Sequence, residues 1–501
     1  MPDIVEGKGF QRLLATLKSP CEIPVKSKLT EEVIPKVYET FKESVLESLH
    51  QMINDISLSV EEWKSLNGEE YLTISIHFQQ PDDEHLYTKV LSTLHWSHKY
   101  DSSYWTQQID SLFDEWNLKV DKIKAVVVAM NMNQRSEIIT ALSLKGLVLI
   151  PCLVYTLQEV CLDAVFEQHD VANILHKCRS LLGLINKHSN AYAALRFQEQ
   201  LLQIDDTSLN ADYPKVWIST YTMLEQLLAR RSVIGSILEN IDSSLYDKDY
   251  IHITDSEWLI IEDVINVLEP FKVTIMTLSE ERYPLISLLK PLLWQLVSSH
   301  LKVSDIDSSH SRIFKNDLSR LLTNRYNQEA TINNILQIAT TLDPRFKTLP
   351  NVVEEAKATL ESPIKEMLKN LIEESQCITE QENMNSSVKK SRLSGMELLL
   401  GDLCSKKTGM SCKERADLEI IQYQSEATAP LDQCPLSWWH RSETKCPNLA
   451  RLAAQYNCIP ATAIPPSRLP LENQIAFDIK RANLSPEIID HLLFLNSNYS
   501  I

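Results

Sequence analysis

The chain has 501 residues, 44% of them hydrophobic, and a formal net charge of −18. That length allows about two to four domains and a large core, while the acidic balance excludes a protein that grips nucleic acid over a wide basic surface. Only 9 glycines occur, and neither G-x-x-x-x-G-K-[ST] nor G-x-G-x-x-G is present, which excludes nucleotide-binding enzymes built on those loops.

The first 50 residues read as helices, Phe10–Leu17 and then Thr30–Leu49 with apolar residues at Val33, Val37, Phe41, Val45 and Leu49. Their composition is that of a packing or dimerisation subdomain. Met1–Phe10 has no signal-peptide pattern. No apolar run approaches the roughly 20 residues that span a bilayer, so no membrane contact is expected.

From Asp55 the period changes to two. Ile56, Leu58 and Val60 alternate with Ser57, Ser59 and Glu61, and Leu72, Ile74, Ile76 and Phe78 alternate with Thr73, Ser75 and His77. Pro81-Asp82-Asp83 is turn chemistry, and a third strand follows through Leu86–Leu94. The helical period returns at Trp105, Ile109, Leu112 and Trp116, behind a Ser102/Ser103 cap. Asp121–Asn131 is then the central strand, because Ala125–Val128 form the continuous apolar run of a strand buried on both faces. A helix near Arg135–Leu142 and a strand over Gly146–Cys152 complete the order β-β-β-α-β-α-β, the layout of ribonuclease-H-like domains.

After Leu157 the pattern is helical to about residue 375. Its segments run from Trp217 through Tyr221, Leu224 and Leu228 towards Ile237, and over Glu257–Phe271, Leu285–Leu301 and Ala330–Thr341. Residues 376–413 read as a disordered linker carrying an apolar patch, Met396–Leu400. Helices resume at Arg415–Tyr423 and Leu449–Tyr456. The last opens on Ser485-Pro486-Glu487, a cap, a first-turn proline and an acid at the positive dipole end, and is expected to bury Ile488, Leu492 and Leu495. The expected division is 1–50, 51–157, 158–375, 376–413 and 414–501: a helical subdomain, the first part of the core, an all-α insertion, a linker and a helical C-terminal region completing the core.

None of the ten cysteines forms a C-x-x-C pair, so no zinc finger is expected, and the thiols fit a reducing compartment. His95-Trp96-Ser97-His98 has no third ligand nearby. Cys161, His169, His176 and Cys178 match no zinc spacing. Asn385, Asn483 and Asn498 fit N-x-[ST] by chance, and Lys389-Lys390-Ser391-Arg392 reads as a solvated loop or a nuclear-import signal.

Several segments together resemble the hAT (hobo/Ac/Tam3) DNA transposases and their domesticated vertebrate relatives, the zinc-finger BED (ZBED) proteins. The strongest are Pro435-Leu436-Ser437-Trp438-Trp439, Cys446-Pro447-Asn448-Leu449-Ala450, Ile459-Pro460-Ala461-Thr462 and Asn483-Leu484-Ser485-Pro486-Glu487, followed by Leu493-Phe494-Leu495-Asn496. Ala339 to Lys347 (ATTLDPRFK) and Trp217 to Leu224 (WISTYTML) are further matches. The match starts near Gly9-Phe10, and the family's DNA-binding BED finger would lie upstream; these residues do not contain it.

The resemblance implies three carboxylates holding two divalent metals, each metal neutralising charge on the attacking and leaving oxygens. The first position, D-x-W-[TS]-S in the family, is Glu61 here, and a solvated acid at a strand end is the plainer reading of it. The second, at the end of the central strand, is Met130, whose thioether is a poor ligand for magnesium or manganese. No Asp or Glu lies between Lys122 and Ser136. The third is Glu419, four residues before Tyr423, expected as an exposed helix acid. The family's Cys-x-x-His becomes Cys152-Leu153-Val154-Tyr155, its Arg-Trp pair becomes Val216-Trp217, and its Pro-Ser-Glu-Arg becomes Pro466-Ser467-Arg468-Leu469. Trp217 is left as a weak DNA-binding candidate whose helical spacing suits a core.

The expectation is a catalytically inactive, transposase-derived nuclear factor in transcription or chromatin regulation, with no cofactor and no metal. It forms a homodimer, or hetero-oligomers with related proteins, and has chromatin proteins among its partners; direct DNA contact stays open. The dimer residues implied by the resemblance are Trp438, Trp439, Leu449, Leu452, Leu484, Ile488, Leu492, Leu493, Phe494 and Leu495. The competing readings are an active metal-dependent transposase or nuclease, and a cytosolic helical scaffold.

Overall fold

The computed structural model describes residues 2–17, 24–50, 55–65, 68–80, 83–97, 99–201, 209, 211–213, 216–240, 251–326, 330–349, 363–374, 410–465 and 484–499. Most of the proposed linker, the Met396–Leu400 patch, Asn385, Asn483, His98, Lys389–Arg392 and Pro466–Leu469 lie outside the described residues.

The fold is mixed α/β and mostly helical, around one sheet of β1 (Ile56–Lys64), β2 (Glu70–Gln79), β3 (Leu86–Trp96), β4 (Ile123–Ala129) and β5 (Leu149–Pro151). The strand order is β3-β2-β1-β4-β5. β1, β2 and β3 form an antiparallel meander, whereas β4 runs parallel to β1 and β5 parallel to β4. The alternation seen in the sequence fixes the faces. Leu58 and Val60 join Leu72, Ile74, Val126, Val128 and Met130 in one apolar cluster. On the other face Ala125, Val127 and Ala129 join the core of the helical region. β4 is therefore covered on both sides, as its unbroken apolar run requires.

The polar face of the meander departs from expectation. Alternation suggests a wet side, yet Ser57, Ser59, Glu61 and His77 are all buried. Three of them are bonded to protein groups: His77 Nε2 meets Ser59 Oγ at 2.8 Å and Nδ1 meets Thr88 Oγ1 at 2.9 Å, while Ser57 Oγ donates to the Cys458 carbonyl at 2.6 Å. Burial pushes His77 down to about 3, so the ring is neutral. Arg282–Pro284 and Pro460–Pro465 roof this face over a cleft of about 380 Å³.

Several boundaries differ for identifiable reasons. Asp101, not Ser102 or Ser103, caps the helix Ser102–Glu115 by accepting from Tyr104 N–H. Gly146, at φ +75°, ends the helix Ser136–Leu144, which leaves β5 shorter than Gly146–Cys152. The next helix, Leu153–Glu167, begins ahead of Leu157. The segment from Trp217 breaks after Ala229, where the buried Arg230 guanidinium pairs with Glu199 at 2.5 Å. The helix Asp255–Glu280 continues through Pro270, because Phe271, Ile275 and Leu278 keep its apolar stripe buried. Leu285–Leu301 divides into a 3₁₀ turn, the helix Leu289–Gln295 and a π turn. The linker ends early, since Ser411 and Glu414 form a capping box opening the helix Cys412–Ser425.

The N-terminal segment is part of the core. Helix Ile34–His50 buries Ile34, Tyr38, Val45 and Leu49, while Val37 is exposed and Val33 half-buried; steps of four overrun the 3.6-residue turn. It meets the last helix, Pro486–Asn498, where Tyr38 stacks on His491 at 4.1 Å and against Phe494 at 4.8 Å. That last helix buries Ile489, His491, Phe494 and Asn498, so the expected stripe of Ile488, Leu492 and Leu495 is only half-buried. It covers the edge strand β3: Asn498 bonds both the N–H and the carbonyl of Val90, and Asp490 accepts from Thr93 N–H. Asn498 is thus a buried docking residue.

One clamp joins the helical region to the C-terminal region. Asp343 receives three bonds from Arg345, its backbone N–H and Nε at 3.0 Å and Nη2 at 2.9 Å, and one from Ser287 Oγ at 2.7 Å, while Arg345 Nη1 reaches the Leu431 carbonyl at 3.4 Å. Lys347 Nζ bonds the carbonyls of Tyr423 and Glu426, Trp439 Nε1 bonds the carbonyl of Leu342 at 2.8 Å, and Tyr423 OH bonds that of Thr341. The motif LDPRFK is thereby explained as a joint.

Candidate functional site at the ends of β1 and β4

The three family positions fall on different surroundings. Glu61 lies in β1 opposite Ala129 of β4, on the roofed polar face, and is 4% exposed; it is not a solvated strand-end acid. Met130, 2% exposed, turns to the opposite face and packs in the apolar cluster with Val126 and Val128. Side chains alternate across a strand, so the carboxylate and the thioether do not converge.

Glu419 is buried rather than exposed. Its Oε1 accepts from Asn448 Nδ2 at 2.6 Å and its Oε2 from Leu449 N–H at 2.8 Å. These groups belong to the first turn of the helix Pro447–Asn457, so the carboxylate caps a helix N-terminus, where negative charge is favoured. Both oxygens are used. Among the described residues, no group of three or more His, Cys, Asp and Glu side chains is arranged to hold a metal ion. The residues present do not fit a pair of divalent metals.

What occupies the end of β4 is a turn and an ion-pair cluster. Asn131 Oδ1 accepts from the backbone of Asn133 and Gln134, and Asn131 Nδ2 donates to Glu159 at 3.1 Å. Arg135, buried against the Trp96 ring at 4.5 Å, pairs with Glu62 and with Glu70, the latter at 2.8 Å. Glu62 shares the Met130 face, so a fixed guanidinium supplies the positive charge there. Burial, then Asp163, raises Glu159; burial, then Glu159 and Glu62, raises the Tyr155 hydroxyl that stands at the family's His position. Cys152 is buried and accepts from Ala463 N–H at 3.3 Å, tying β5 to the roof. The Arg135 cluster was not legible in the sequence, because it depends on the register of β1 against β2 and on a residue 73 positions away from Glu62.

Trp217 is 1% exposed and packs edge-on against Tyr221 and Phe271, so it is a core residue and not a base-stacking surface. The ten expected dimer residues divide. Trp439, Leu449, Leu452 and Phe494 are buried in the chain's own core, and a side chain spent there cannot also be an exposed contact. Trp438, Leu484, Ile488, Leu492, Leu493 and Leu495 are half-buried.

Comparison with known proteins agrees with this layout. Residues 150–267 match the ZBED1 RNase-like helical domain, and residues 419–499 match the hAT family C-terminal dimerisation region. Zinc finger BED domain-containing protein 4 of Homo sapiens is 22% identical over 99% of this chain, which spans 42% of that protein's length. Zinc finger BED domain-containing protein RICESLEEPER 2 of Oryza sativa is 22% identical over 98% of this chain and 71% of its own length. Zinc finger BED domain-containing protein 6 of Homo sapiens is 20% identical over 68% of this chain and 35% of its own length. With both matched regions in place on one sheet-and-helix framework, the chain carries an RNase-like helical region of ZBED1 type and an hAT-type C-terminal dimerisation region, and it is similar to zinc finger BED proteins over nearly its whole length.

Proposed function

We propose that this chain is a catalytically inactive, domesticated hAT protein that works as a dimerising nuclear factor in transcription or chromatin control. Its sheet is read as a ribonuclease-H-like core, 51–157, interrupted by the helical insertion 158–375 and completed by 414–501. The antiparallel meander followed by two parallel strands supports that reading of the core. The observation that carries the loss of catalysis is Met130 packed in an apolar cluster where the chemistry needs a carboxylate. Glu419, held as a helix cap by Asn448 and Leu449, and the guanidinium beside Glu62 support it further. The match to a dimerisation region supports self-association, or association with related chains.

The test is a strand-transfer assay on hairpin DNA ends with magnesium or manganese, using the full chain. No cleavage above background is expected. Cleavage that disappears in a folded Glu61→Gln variant would restore the transposase reading. Imaging of a tagged chain tests the nuclear assignment, and exclusion from the nucleus favours a cytosolic scaffold.

A further inference from the structure

With Trp439, Leu449, Leu452 and Phe494 inside the chain's own core and the other six expected dimer residues half-buried, the more fully exposed apolar side chains beside the matched region are the better contact between copies. Helix Cys412–Ser425 enters the dimerisation match at Glu419 and turns Ala416, Glu419 and Tyr423 inward. Its outer side carries Leu418, 53% exposed, and Ile421, 64% exposed. Residues three apart on a helix are neighbours, so the two make one apolar patch on the solvent side.

We propose that this outer stripe, centred on Leu418 and Ile421, is where two copies of the chain meet, helix against helix in antiparallel fashion across a two-fold axis. The inference rests on the dimerising function proposed above and names its surface. The helix is rigidly mounted: a capping box fixes its start, Glu419 is held by Asn448 and Leu449, and Tyr423 OH by the Thr341 carbonyl. A preordered surface loses little freedom on association. The charges also permit self-pairing. A two-fold axis between Leu418 and Ile421 sets Leu418 against the partner copy's Ile421, and sets Glu414 and Arg415 against Ser425 and Gln424. No like charges then oppose one another.

The experiment is sedimentation velocity of the full chain over a range of concentrations. It compares the unmodified protein, a Leu418→Glu/Ile421→Glu variant and a Leu418→Ala/Ile421→Ala variant, with the urea midpoint checking that each is folded. A dimer is expected for the unmodified chain, with Kd raised about 100-fold or more by the glutamates and at least ~10-fold by the alanines. If the glutamates prevent folding, the alanine pair, which keeps helix propensity, decides alone. An unmodified dimer whose Kd neither variant changes overturns this surface and leaves the dimerising function standing. A monomer at every concentration overturns both.

Discussion

The clamp built on Asp343 is the most exposed to a quantitative test. Asp343 is fully buried, and its two oxygens take four hydrogen bonds, three from Arg345 (backbone N–H, Nε and Nη2) and one from Ser287. In Asp343→Ala the Arg345 guanidinium keeps only Glu281, at 3.1 Å, and the Leu431 carbonyl, at 3.4 Å. Breaking a buried pair from one side costs about 3–5 kcal/mol, and the surviving Glu281 contact points to the lower end, ~3 kcal/mol. Replacing both partners removes the stranded charge, so Asp343→Ala with Arg345→Met should be less damaging than the sum of the singles by about 1–2 kcal/mol. Urea unfolding followed by tryptophan fluorescence measures each, since Trp439 reports on the joint through its bond to Leu342. A loss below ~1 kcal/mol for Asp343→Ala, or strictly additive singles, would refute the claim that this ion pair fixes Arg345 and with it the turn that meets the C-terminal region through the Leu431 carbonyl.

Three further outcomes follow from the same geometry. Burial raises Asp490 from its ordinary 3.8 to about 6; a raised carboxyl favours the folded state below about 4 and loses that contribution as pH climbs through about 6. Asp490→Asn, which can still accept from Thr93 N–H, should match the unmodified protein at pH 4 and exceed it at pH 7.5 by on the order of 2 kcal/mol in urea titrations; equal pH profiles would reject the assignment. Glu419→Ala should cost about 1–3 kcal/mol by uncapping the helix Pro447–Asn457, seen as a lower urea midpoint; an unchanged midpoint contradicts the capping role. Met130→Asp should destabilise by about 3 kcal/mol or more, because it places a carboxyl in an apolar cluster, and should yield no metal-dependent cleavage; a stable, cleaving variant would show that the acid site is intact around it.

Much of this protein was legible from local chemistry. The run Ala125–Val128 between two helical patterns read as a strand covered on both faces, the two-residue alternation assigned Leu58 and Val60 to one face, and Ser485-Pro486-Glu487 marked the start of the last helix to the residue. These features depend on neighbours within a turn or a strand, and periodicity carries that information. Met130 at the end of β4 was likewise plain before any fold was known. Tertiary structure decided the rest, through partners hundreds of residues away. The polar face of the meander is buried because Arg282–Pro284 and Pro460–Pro465 roof it. Glu419 became a helix cap because Leu449 folds back onto it, and Trp439 and Phe494 became core because the joint at Leu342 and the helix Ile34–His50 claimed them. A side chain's type states what it can bury or bind; only the packing of distant segments decides which of those options it takes.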